Sequence, residues 1–204
     1  MPGFTQDQNK MWWGFSRLYY ALYKEGASGG IGAWEKPKPI PGAKGLAMNA
    51  DGDTQYFAAD DNANYIVYTA DNGYTGELVA AMFPDDYLMD TLGYMLDKNG
   101  MMFEAAGAPQ EPHALLFELQ GNKEPRRVVL YHCIGSKPSK DVKSNEKAPQ
   151  FEGEKMSMVA SPIDFGWIRT SKGVMLKSRN EAKFEKFFDA VQLPENPDGT
   201  TPGP

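Results

Sequence analysis

The chain has 204 residues, a formal charge of -6 and a pI near 5.0, which argues against gripping nucleic acid by phosphate neutralisation, since that needs clustered Lys and Arg. Aromatic residues make up 12%, and 21 glycines with 15 prolines suit a sheet-rich protein with many turns better than a helical bundle. The single cysteine, Cys133, excludes an internal disulfide, and no apolar run approaches the roughly 20 residues that span a bilayer.

The start, "MPGFTQDQNKMWWGF", lacks the regions of a secretory signal, so synthesis in a reducing cytoplasm is expected. "WWGFSRLYYALY" (12–23) reads as a strand and runs into the glycine- and proline-rich segment 24–42, which reads as an extended arm. Candidate strands follow at 43–50, 54–60, 64–70 and 75–83. Asp51-Gly52 tolerates positive φ at two positions and is expected to be a hairpin tip, with Asp60-Asp61 as the next turn.

"PDDYLMDTLGYML" opens with Pro84 and two acids and places Tyr87, Leu88, Thr91, Leu92 and Met95 at helical spacing, predicting a short helix. Strands resume in "GMMFEAA", "HALLFEL" and "RRVVLYHCIG", the last two joined by the turn "QGNKEP". A polar connection (136–148) leads to "FEGEKMSMVASPI", which alternates as a strand does. "WIRTSKGVML" comes next, then a helix with Phe184, Phe187 and Phe188 on one side. The end, "PENPDGTTPGP", cannot bury enough apolar surface to order itself and is expected to fray.

No catalytic, cofactor or metal constellation emerges. His113, His132 and Cys133 form no known spacing, and His132 and Cys133, adjacent in a strand, point to opposite faces. Asn49, Asp51, Asp53 and Asp60 fall at positions 1, 3, 5 and 12 of a calcium-loop frame. Gly52 then stands at position 4 instead of 6 and the flanks are strand-like, so a β-turn is favoured. "GASGGIG" lacks the lysine and strand-to-helix context of a phosphate cradle. Asp85, Asp86 and Asp90 are the acids expected near a helix start.

Across residues 13–163 the order of "GFSRLYYALY", "DGDTQYFAADDNANY", "YTGELVAAMFPDDYLMDTLGY", "KNGMMFE", "HALLFEL", "RRVVLYHCIGSKPS" and "FEGEKMSMVASPI" resembles the phage major tail proteins of the phi13 and TP901-1 type. The resemblance implies a mainly β fold of two packed antiparallel sheets, a sandwich or barrel, with a flanking short α-helix, extended arms and a C-terminal helix. It divides the chain into a tail-tube domain at 1–163 and a C-terminal extension at 164–204.

It also implies a virion protein whose homo-hexameric rings stack into the tail tube. Tape measure, terminator and distal tail proteins would be its partners, and DNA would pass without specific binding. Candidate lumen or inter-ring acids are Asp51, Asp53, Asp60, Asp61, Glu77, Glu118, Glu152 and Glu154, where negative charge would keep DNA off the wall. The alternatives are an inner-tube protein of a contractile tail or secretion apparatus, and a small binding or hydrolytic domain using acidic loops.

Overall fold

A computed structural model describes residues 11–26, 32–121, 123–142 and 152–197. In chain order these form β1 (Trp12–Lys24), β2 (Ala33–Trp34), β3 (Lys38–Pro39), β4 (Ala43–Asp51), β5 (Thr54–Ala59), β6 (Asn62–Thr69) and β7 (Gly73–Ala80). Helix α1 (Asp85–Leu92) leads to β8 (Tyr94–Leu96), β9 (Met102–Glu104), β10 (His113–Gly121), β11 (Arg126–Gly135) and β12 (Glu154–Ala160). The chain closes with β13 (Ile163–Asp164), β14 (Arg169–Thr170), β15 (Lys172–Leu176) and α2 (Glu181–Glu185).

The architecture is mainly β, antiparallel and poor in helix. One sheet runs in the order β2-β1-β10-β11-β12-β7-β4, with β15 also on β11 and β3 also on β1. β1 and β4 lie near opposite ends of that order yet approach each other, so the sheet curls. Inside the curl Leu18, Leu78, Leu115, Phe117, Leu130, Met156 and Met158 are buried, with Phe15, Leu46 and Met48 packed against them. Such curling sets apolar residues of the two sheet halves face to face, which is how an antiparallel sheet removes one face from water.

The other face of the middle strands is also covered. "HALLFEL" in β10 carries the apolar run Ala114 to Phe117, and every residue from His113 to Glu118 is buried. Alternation sends Leu115 and Phe117 inward, while Ala114 and Leu116 join Val129, Tyr131, Phe165 and Phe187 in a second cluster. The chain beyond Asp164 supplies this cover. β15 pairs with the first half of β11, and Phe184 and Phe187 are buried, with Phe188 stacked on Tyr19 at 4.8 Å.

α1 forms as its sequence predicts. Pro84 caps it in an extended conformation, Asp85 and Asp86 sit in the first turn where the helix dipole favours negative charge, and Gly93 at φ 68° ends it left-handed. Tyr87, Leu88, Thr91 and Leu92 face the core, whereas Met95 belongs to β8 and is exposed.

Two expectations are corrected. The described part of the glycine- and proline-rich segment is no loose arm: β2 and β3 pair with β1, Ile40 is buried, and the Trp34 indole donates to the Tyr131 carbonyl at 2.9 Å. The tail is held as far as Glu195, whose carboxylate meets Lys183 at 2.6 Å, while the Tyr131 hydroxyl donates to the Gln192 carbonyl at 3.0 Å. The cores of "GASGGIG" and of the 136–148 connection, and the chain from 198 on, lie outside the described residues.

Candidate functional site

β4 pairs with β7 from Ala43 to Asp51, and β5 pairs with β6 directly beyond, so 43–80 is one long two-stranded ribbon. Two backbone bonds carry it through the joint: Asn72 donates to Asp51 and Ala70 to Asp53, at 2.9 and 2.8 Å. Asp51-Gly52 is therefore a joint within an arm and no hairpin tip. Gly52 is required by close approach, since a Cβ there would lie 2.3 Å from the Ala70 carbonyl oxygen. The tip is Asp60-Asp61, whose φ values of 51° and 57° make the two-residue turn that matches strand twist.

β5 and β6 pair with no other strand among the described residues, and all but Ala59 of their residues are exposed. The register places Gln55, Phe57, Ile66 and Tyr68 on one face and Tyr56, Tyr65 and Val67 on the other. Both faces are apolar, and Tyr56, Phe57, Tyr65, Ile66, Val67 and Tyr68 are each between 51 and 66% exposed. A two-stranded ribbon is marginal alone, and an apolar surface of this kind marks a contact site.

The eight sequence-derived acids do not form one surface. Asp51 and Asp53 flank the joint, Asp60 and Asp61 form the tip, and all four are exposed. Glu77 is exposed on β7 opposite Ala47 and Ser157, and Glu152 is exposed before β12. Glu118 and Glu154 are corrections, because both are buried and committed internally. Glu118 accepts from Arg127 at 2.9 Å, while Glu154 accepts from the Phe83 amide and the Lys140 ammonium, each at 2.9 Å. Buried carboxylates persist only with such partners, so neither faces a channel.

Of the near-neutral titrating groups, His113 and Cys133 are buried and His132 is half-buried. His113 is fully buried, its Nε2 3.1 Å from the Tyr87 hydroxyl and its Nδ1 3.2 Å from the Glu111 carbonyl; burial lowers it to about 4. Burial pushes the Cys133 thiol up to about 12, far from the thiolate that nucleophilic chemistry needs. A register shift beside His113 places Cys133 in the curled core, whereas His132 lies edge-on to Tyr23 at 5.5 Å, on the other side. Asp90 accepts from the Tyr20 hydroxyl at 2.7 Å and from Lys38 at 2.5 Å, tying α1 to β1 and β3.

No group of His, Cys, Asp or Glu among the described residues is placed to hold a metal ion. Asp51 ends β4 and Asp60 follows β5, so the whole of β5, about 20 Å at strand rise, separates these two positions of the calcium-loop frame. No described helix is long and apolar enough to cross a membrane.

Fold and surface thus define an antiparallel β protein that carries an uncovered apolar arm. No family model matches the chain, and no curated protein matches it. Among solved structures, the cryo-EM structure of an anti-feeding prophage cap, the tube-terminating cap, is similar over 85% of this chain and 98% of that one. The identity is 14% and the TM-score 0.39, a likeness too distant to assign a function.

Proposed function

We propose that the chain is a structural subunit of a phage tail that assembles with copies of itself, with no catalytic role. Hexameric rings stacked into a tube of the noncontractile kind are the form proposed, with DNA passing through and other tail proteins at the ends. The observation that carries this reading is the β5–β6 arm, whose rings are uncovered on both faces in the single chain. Their exposed area is roughly 600 Å², close to the ~800 Å² that each partner contributes to a standard interface.

The tail assignment itself rests on the ordered motifs at 13–163, and the arm supports it as a device for joining subunits. β4, at the end of the sheet order, offers a further edge unpaired among the described residues. Among the acids, Asp51, Asp53, Asp60, Asp61 and Glu77 remain exposed and are the ones proposed to face a lumen or a neighbour.

Electron microscopy of the purified full-length chain at rising concentration tests the proposal. Rings or tubes of uniform diameter are the expected result. A chain that stays monomeric at the highest concentration, by microscopy and by light scattering, would overturn it.

A further inference from the structure

The arm's chemistry specifies its partner surface. Five aspartates, Asp51, Asp53, Asp60, Asp61 and Asp71, lie along or at the root of β5–β6, and no basic residue occurs between Lys44 and Lys98. Whatever covers the rings must be apolar and cationic, or the aspartates would be brought against a neutral or like-charged wall.

The first half of β1 has that chemistry. β3 and β2 pair with β1 only at Tyr19–Tyr20 and Tyr23–Lys24, so the outer edge of the strand before Tyr19 has no strand beside it among the described residues. Trp12 and Trp13 stand there 39 and 53% exposed.

Two guanidinium groups lie along this stretch. That of Arg126 lies 4.1 Å above the Trp12 ring, and its Nε is buried with no hydrogen-bond partner among the described residues. Arg17 lies 3.9 Å from Glu118, whose nearer partner is Arg127, and is more than half exposed. Trp12 and Arg126 belong to the side of the first core cluster, Trp13 and Arg17 to the side of Glu118 and Gln120. The edge therefore presents an aromatic ring and a cation on both sides, as the arm presents rings on both sides.

The other exposed apolar patch fits less well. Met95, Met101 and Phe103 on the β8–β9 hairpin have Lys98 in their turn, set beside Asp97, and Lys137, which is already held by Glu104 at 2.9 Å.

Building on the proposed self-assembly, we infer that the arm of one copy packs its rings on the Trp12–Trp13 edge of a second copy, with the arm's aspartates set against Arg17 and Arg126. The two surfaces differ, so the contact is heterologous. Each added copy still offers one free arm or one free edge, which is what a ring or an open stack requires. Positive φ at Gly14 (74°) and Arg17 (54°) breaks the regularity of this edge, so the contact is one of side chains and no extension of the backbone ladder.

Full-length chains carrying Tyr56→Cys or Phe57→Cys, one for each arm face, are mixed with chains carrying Trp13→Cys and oxidised. Cys133 is buried and does not compete. Gln120→Cys, paired across from Trp13, is the second edge position should Trp13→Cys lower stability.

Arm-to-edge disulfides in the mixed sample, several-fold above those in either sample alone, are expected for at least one arm face. Asp60→Asn with Asp61→Asn in the arm chain, or added salt, should cut the yield several-fold. Predominant arm-to-arm links, or no arm-to-edge link while the parent chain still forms rings or tubes, would overturn the inference and leave self-assembly standing. A parent chain that neither cross-links nor assembles would overturn both.

Discussion

Glu118 and Arg127 meet at 2.9 Å across β10 and β11, both buried, with the Arg127 guanidinium also 4.0 Å from the Phe184 ring and bonded to the Phe184 carbonyl. This pair fastens α2 to the sheet. Glu118→Ala leaves a buried cation without its carboxylate and should cost about 3 to 5 kcal/mol in urea unfolding. Replacing both partners, Glu118→Leu with Arg127→Met, should cost distinctly less, because no uncompensated charge remains. Equal losses in the two variants would show that packing, and not the charge, dominates.

The pair also marks what sequence could convey. "HALLFEL" is legible as a strand, and Pro84 to Gly93 as a helix with its ends marked. Glu118 reads in sequence as one acid among many, because its commitment depends on Arg127 across the ladder and Phe184 in a distant helix. The ribbon is hidden in the sequence for a similar reason. Asp51-Gly52 has turn chemistry, but a strand's partner is set by long-range register, and β4 finds β7 instead of β5. A usable signal for the arm lay in "QYFAA" and "NYIVY", where apolar residues run consecutively instead of alternating, so both faces had to be apolar.

His113 should make stability fall with acid. Its folded value is lowered to about 4 from an ordinary 6.5, so the unfolded chain takes up a proton in that window while the native chain does not. Stability is fully present above pH 6.5 and is lost as pH falls toward 4, by up to about 3 kcal/mol. The Tyr87 hydroxyl, the Glu111 carbonyl and the Tyr20 ring contact His113, none of them an anion that would hold a charged imidazole, and His132 opposes its charge. His132, also lowered by burial, adds in the same direction. Thermal midpoints between pH 4 and 7 should slope less steeply in His113→Asn than in the parent; identical slopes would remove His113 from the account.

Cys133 should resist thiol reagents in the native state. Burial raises it to about 12 and no part of it is exposed, so alkylation requires opening of the core. Mass spectrometry after maleimide treatment at pH 7 should find the native chain unmodified and the urea-unfolded chain fully modified. Fast native labelling would mean that the β11 register shift opens locally, exposing the core beside His113.

Gly52→Ala should separate the arm from the body. The added methyl would meet the Ala70 carbonyl oxygen at 2.3 Å, so the joint must shift, and the arm beyond it turns as a unit because β5 and β6 are tied to each other. The core lies on the other side of the joint, among residues that do not touch Gly52. The thermal midpoint should therefore change little while assembly, followed by light scattering, falls several-fold. Gly76→Ala supplies the contrast: its methyl would meet the Ala47 carbonyl oxygen at 1.8 Å, in the middle of the β4–β7 ladder, and should lower the midpoint itself. If Gly52→Ala assembled like the parent, the direction of the arm would not matter to the contact, and a flexible tether would replace a rigid arm in the mechanism.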